Sequence, residues 1–157
     1  MNGNSYLNCS DEGFRHHLHE EHRQLNVELD QLSACCLGQL KDCDLQTDWN
    51  RLRDRVHRLR DNLVHHFREE EEGCCLDEAV ARRPTLAAEA REIESEHPEL
   101  LAELDGLINW LDEEPPLEIT LQNARARLNA FAENLRRHEW REDALIRRGV
   151  GAFGVDD

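Results

Sequence analysis

Apolar residues recur along almost the whole chain at intervals of three and four, which is the spacing of one face of an α-helix. Leu, Glu, Arg and Ala dominate, β-branched residues are few, and no alternating strand pattern occurs. Turn residues divide this pattern into four long segments. The pattern predicts an all-α protein of one domain, residues 1–157, with a flexible tail at 149–157 and helices over about residues 11–37, 48–72, 85–111 and 117–148.

Short connections join these amphipathic segments, which predicts an up-down-up-down four-helix bundle. The connection between the second and third helices, residues 74–83, has room for one or two further helical turns. The apolar stripes consist mainly of leucine, so the bundle has enough apolar surface for a continuous core.

Polar side chains interrupt these stripes at positions that a helical wheel places among the core residues. Each predicted helix has one such histidine, and together these are His22, His66, His97 and His138. Glu70 and Glu142 each follow a core-facing histidine by four residues, so the two side chains of each pair share one face of the helix. Buried carboxylates without partners are costly, and these glutamates therefore need a proton or a cation.

The four core-facing histidines also agree in depth. Each lies about 14 to 21 residues from the end of its helix at the first-to-second or third-to-fourth connection, roughly 21–32 Å along the bundle. Unrelated core histidines have no reason to agree in level. Four imidazoles and two carboxylates at one level predict a pair of divalent or trivalent metal ions, which a carboxylate can bridge.

The remaining polar candidates fall elsewhere on the helical wheels. Glu139 lies within the stripe of the fourth helix, and Asp143 lies on its flank. The histidines outside the stripes are interpreted as a solvated face, and they are His16, His17, His19, His57 and His65.

At these positions the sequence resembles the hemerythrin-like, or HHE cation-binding, family. The matching stretches are His19-Glu-Glu-His22-Arg-Gln-Leu25, His66-Phe-Arg-Glu-Glu70-Glu, Glu96-His97-Pro-Glu-Leu-Leu101 and Arg137-His138-Glu-Trp-Arg-Glu142. The resemblance implies a four-helix bundle with a non-haem di-iron centre, in which an oxo or hydroxo group bridges two iron ions. Zinc and manganese are the alternative metals.

The resemblance also implies a role for each candidate residue. Glu70 corresponds to a bridging carboxylate. The second bridge falls at Glu142 or Asp143, because family members differ in whether this acid follows the histidine by four or five residues, and the helical wheel favours Glu142. The histidine ligands that the resemblance implies are His22, His66, His97 and His138.

One position departs from the oxygen-carrying hemerythrins. They have a second histidine one turn before the one that corresponds to His97, and this chain has Ile93 there. The open position on that iron is expected to take water, a substrate, or the carboxylate of Glu139 or Glu94. This departure counts against reversible oxygen carriage.

The resemblance therefore favours a protein that binds or senses oxygen, nitric oxide or peroxide, or that handles iron. Two alternatives stay open. One is a regulatory or interaction module whose metal is structural, and the other is an enzyme that reduces peroxide or oxygen. Binding without turnover is favoured over an enzyme.

Composition narrows the choice of partners. The net charge of −15 repels phosphate backbones and anionic lipid, so neither nucleic acid nor a membrane is expected as a partner. The N-terminal residues lack a signal-peptide pattern, which favours a cytoplasmic protein. The six cysteines form no C-x-x-C pair, and most of them are expected to be reduced thiols.

Overall fold

The computed structural model describes residues 12–35, 44–73 and 75–150. These residues are almost entirely helical and contain no strand, which confirms the all-α class. The helices are α1 (Glu12–Cys35), α2 (Leu45–Gly73), α3 (Cys75–Arg82), α4 (Ala87–Glu113) and α5 (Glu118–Val150), with a 3₁₀ turn over Pro84–Leu86 between α3 and α4. The helical turns expected between the second and third long helices are present as α3.

Side-chain caps and prolines set the helix ends. α2 begins three residues earlier than predicted because Asp44 Oδ1 accepts a hydrogen bond from the Thr47 backbone N–H at 2.7 Å. α4 ends where Glu114 takes an extended conformation, φ −84° and ψ 146°, as the residue before Pro115 usually does. At the start of α5, the Thr120 hydroxyl accepts a hydrogen bond from the backbone N–H of Leu117 at 2.9 Å.

The C-terminal end of α5 differs from the prediction. Gly149 and Val150, expected to begin the flexible tail, belong to α5, and residues 151–157 lie outside the described residues. A Cβ atom on Gly149 would lie 2.3 Å from the Cβ and 2.8 Å from the carbonyl oxygen of Ala79. The glycine therefore allows α3 to pack closely against the last turns of α5.

Each long helix packs against two others around a shared core. α1 and α4 each contact both α2 and α5, while α3 packs against α4 and α5. The largest apolar cluster contains the C-terminal halves of α1 and α4 and the N-terminal halves of α2 and α5. Two smaller apolar clusters, which include α3 residues, lie at the opposite end. None of the helices in the described ranges has the length and apolar character that crossing a membrane would require.

Candidate metal centre

The four core-facing histidines lie between the large apolar cluster and the two small ones, and all four are buried. The rings of His22 and His66 are 4.7 Å apart between centroids, and those of His97 and His138 are 4.9 Å apart. Phe67 stacks on His97 at 4.0 Å and closes the centre on the side of the large apolar cluster. The centre therefore has two imidazole pairs, one from α1 and α2 and one from α4 and α5.

The carboxylate of Glu70 lies between these pairs. Its Oε1 is 2.9 Å from Nε2 of His22 and 2.6 Å from Nε2 of His66. Its Oε2 is 3.4 Å from Nε2 of His97. Glu70, His97 and His138 have potential ligand atoms within 4.8 Å of one another, as do Glu70, His22 and His66. Glu70 thus belongs to both groups, as a carboxylate that bridges two cations would.

Glu142 is the second buried carboxylate. The Oε2 atom of Glu142 lies 3.7 Å from Nε2 of His138, and only 2% of the surface of Glu142 is exposed. Burial, together with the negative charge of Glu70, raises the pKa of Glu142 well above its usual value. Two carboxylates this close in a dry core repel each other, and a cation between them would remove this repulsion.

Several buried atoms of this cluster have no hydrogen-bond partner within the part of the chain that the structure describes. Buried polar atoms nearly always have one, so a group of exceptions in one place needs an explanation. All of them are nitrogen or oxygen atoms of the types that bind iron, zinc or manganese. They are Oε2 of Glu70, Nε2 of His97, Nε2 of His138, Oε1 of Glu139 and Oε2 of Glu142. The residues present therefore fit a bound metal.

The charges of the buried histidines and glutamates shift one another's pKa values in the absence of metal. Burial opposes a charge on His66, but hydrogen bonds and charge from Glu70 and Glu21 outweigh it and raise the pKa of His66 to about 9. Burial also opposes a charge on Glu70, yet the imidazoles of His22 and His66 on Oε1, together with the nearby imidazole of His97, keep the pKa of Glu70 well below its usual value. For His138 burial prevails, and the pKa is lowered.

Three glutamates orient the imidazoles from outside, and the sequence analysis missed all of them. In three of the four histidines, Nδ1 contacts one carboxylate oxygen, and Nε2 is left directed at the centre. The contacts are His66 with Glu21 at 2.8 Å, His97 with Glu71 at 2.9 Å and His138 with Glu96 at 2.8 Å. Each glutamate is the sequence neighbour of a predicted ligand, on an adjacent helix face, and this adjacency is the signal that could have found it.

The less certain candidates occupy different places. Glu139 is buried and accepts a hydrogen bond from Asn26 of α1 at 3.0 Å, which directs it toward the His22 side rather than the Ile93 side. Burial raises the pKa of Glu139. Asp143 is partly buried, with Oδ2 3.8 Å from Nδ1 of His19. Glu94 is exposed. Ile93 is fully buried in the apolar cluster beneath α3.

A cavity of about 530 Å³ connects the centre with the surface. Its inner wall includes His22, Glu70 and Glu142, and its other lining includes Arg15 and Arg147. Cys75 also lines this cavity and takes part in a disulfide bond. The expectation of a reduced thiol is therefore wrong for Cys75.

Comparison with known proteins gives one match. The profile of the family described as Hemerythrin HHE cation binding domain matches residues 14–147, which includes every residue of the centre. No curated protein and no solved structure shows significant similarity to the chain.

Proposed function

Because the chain belongs to the hemerythrin HHE cation-binding family, we propose that it holds two iron ions in the core of an up-down-up-down four-helix bundle. One observation carries the proposal: Glu70 directs one carboxylate oxygen at His22 and His66 and the other at His97. The helix contacts, α1 with α2, α2 with α4, α4 with α5 and α5 with α1, support the up-down topology.

The proposed ligands divide into two sets that share Glu70. His22 and His66 would hold one ion, and His97, His138 and Glu142 the other. When bound, an iron pair supplies the capacity to bind or reduce oxygen, peroxide or nitric oxide. The protein's own contribution is to hold the imidazoles of His66, His97 and His138 by Nδ1, so that Nε2 can bind metal, and to surround the centre with apolar clusters on both sides.

We propose that the centre binds or senses a small diatomic molecule or peroxide. Iron handling is the alternative role of the same centre. The cavity that reaches His22, Glu70 and Glu142 supports this proposal, because it gives such a molecule a path to the centre. A purely structural metal site would gain nothing from this path, since structural sites have all their positions filled by protein ligands.

Elemental analysis of two matched variants tests the metal centre. Glu70→Gln removes the shared charge with little change of shape, and Glu72→Gln makes the same change at an exposed position of the same helix. We expect two iron ions per chain in the wild type and in Glu72→Gln, and one or none in Glu70→Gln. Equal iron in both variants would contradict the assignment of Glu70 as the bridge.

Azide separates a ligand-binding centre from a structural one. We expect the visible and near-ultraviolet bands of the iron-loaded protein to shift when azide is added. If the protein holds its metal but the spectrum is unchanged by azide, nitric oxide or peroxide, the structural-metal interpretation replaces the one proposed here.

A further inference from the structure

Two His-x-x-x-Glu pairs lie on the outer surface where α1 meets α2. His17 and Glu21 belong to α1, and His65 and Glu69 belong to α2. The spacing of four residues puts the members of each pair on one helix face, one turn apart. In α2 this pair precedes the buried pair His66 and Glu70 by one residue, so the same pattern occurs twice on neighbouring faces.

The two outer pairs face each other across the helix boundary. Nε2 of His17 lies 3.4 Å from Oε1 of Glu21 on its own helix and 3.2 Å from Oε2 of Glu69 on α2. Nε2 of His65 lies 3.1 Å from Oε1 of Glu69. His65 and Glu21 also line one surface cavity. Two imidazole nitrogens and two carboxylates therefore lie together within reach of solvent.

The spacings around His17 are close to those of ligands around a tetrahedral zinc ion. Zinc binds imidazole nitrogen and carboxylate oxygen at about 2.0–2.2 Å, which puts neighbouring ligand atoms about 3.3–3.6 Å apart. Nε2 of His17 lies 3.4 Å from Oε1 of Glu21 and 3.2 Å from Oε2 of Glu69, close to this range. The potential ligand atoms of His17, Glu21 and Glu69 all lie within 4.8 Å of one another.

Charge favours a cation at this place. Glu21 and Glu69 are partly buried, with side chains 20% and 27% exposed, and like charges in such a setting repel each other more than they would in water. The chain as a whole has a net charge of −15. Glu21 contacts His17 through Oε1 and His66 through Oε2. One carboxylate can thus serve the outer cluster and the buried centre at the same time.

We propose a second metal site on the outer surface of α1 and α2, for a zinc-class divalent cation, with the ligands His17, Glu21 and Glu69 and with His65 beside them on the second oxygen of Glu69. Imidazole ligands select zinc, nickel or copper over magnesium and calcium, which prefer oxygen. The site is separate from the iron centre and does not depend on the function proposed for that centre. Its connection to the centre is the carboxylate of Glu21.

Isothermal titration of Zn²⁺ into the purified protein, with its own metal in place, tests this site. The test variant is His17→Ala with His65→Ala, since both histidines are exposed and neither belongs to the centre. We expect the wild type to bind one zinc ion more than this variant, or to bind it at least about tenfold more tightly. Elemental analysis before and after titration is expected to give equal core metal in both proteins.

Two controls complete the test. His57→Ala removes an exposed histidine from the same helix, about two turns before His65, and is expected to leave zinc binding unchanged. Millimolar Mg²⁺ is expected to leave it unchanged as well. Equal zinc binding by the wild type and the double variant would overturn the proposal. The proposal would also be overturned if His57→Ala lost as much zinc binding as the double variant, or if Mg²⁺ displaced the zinc. The difference of one zinc ion is expected even if the core holds no iron.

Discussion

The bundle has two regions that use the same helices in opposite ways. In the apolar region, near the α1–α2 and α4–α5 connections, the stripes consist mainly of leucine, and residues such as Leu32, Leu59 and Leu104 are fully buried. In the polar region the same stripes continue with histidine and glutamate, equally buried but with several atoms that have no hydrogen-bond partner. The helical pattern is continuous, and only the residue type changes.

This difference indicates that one region stabilises the fold and the other binds metal. A buried leucine side chain contributes about 1.5–3 kcal/mol to folding, whereas a buried polar group without a partner costs about 1–3 kcal/mol. The apolar region therefore has to stabilise the fold. The polar region reduces stability in the absence of metal, and this is the energy that a bound cation can recover.

The largest expected effect comes from the apolar region. Leu59 is fully buried in the large cluster, and Leu59→Ala leaves a cavity that the neighbouring helices cannot fill. We expect the free energy of unfolding to fall by about 2–5 kcal/mol, in the metal-free and the metal-loaded protein alike. Chemical denaturation of both forms measures it.

Val27→Ala is the matched control, because Val27 lies on α1 with 43% of its surface exposed. Its effect is expected to stay within about 0.5 kcal/mol. If Leu59→Ala destabilised only the metal-loaded form, the apolar region would depend on the metal, and this assignment of roles to the two regions would be wrong.

Sequence reasoning predicted the residue types on the core faces, because burial and helical periodicity act within one helix. The buried positions of His22, His66, His97 and His138 follow directly from their place on leucine-rich stripes. The same reasoning placed Glu70 on the core face of the second helix, and within residues 69–72 of the structure it is the buried one.

Features that depend on the fit between helices were beyond this reasoning. Glu21, Glu71 and Glu96 lie outside the stripes, and they meet histidines only because of the rotation and level of a neighbouring helix. His17 is exposed, as predicted, but its contact with Glu69 of α2 depends on the neighbouring helix in the same way. Gly149 looked like a tail residue because the close packing of Ala79 against it is not visible in the sequence.

An intermediate effect is expected from the outer carboxylates of the polar region. Glu96 holds Nδ1 of His138 at 2.8 Å and also pairs with Arg141. Glu96→Gln weakens this support without removing a proposed ligand, so metal affinity is expected to fall about 10–100-fold. Competition with a coloured chelator measures the affinity.

Glu99→Gln, at an exposed position one turn along α4, is the control and is expected to bind metal as the wild type does. The unfolding free energy of the metal-free Glu96→Gln protein separates a role in metal binding from a general loss of stability. A loss of affinity that is equal in both variants would mean that surface charge, rather than the contact with His138, supports the metal.

The smallest expected effect, taken per pH unit, is that of pH on the polar region, and it acts in opposite directions on folding and on metal binding. The pKa of His66, raised to about 9, lies above the value of about 6.5 for an unfolded chain. Its contribution to the stability of the metal-free fold is therefore fully present below pH 6.5 and is lost as the pH rises through 9. Metal binding needs the neutral imidazole, so metal affinity increases over the same range.

Between pH 7 and about 9 this single group is expected to raise metal affinity by up to about tenfold per pH unit, equivalent to about 1.4 kcal/mol. Zinc is a suitable probe in the metal-free protein that carries His17→Ala and His65→Ala, because the outer site is then removed. Calorimetric titration at pH 7 in two buffers of different ionisation enthalpy gives the number of protons released. We expect close to one proton per chain from His66, and a further contribution from Glu142, whose pKa burial also raises. Zinc binding without proton release would mean that His66 is already neutral at pH 7, and that Glu70 has its negative charge balanced in some other way.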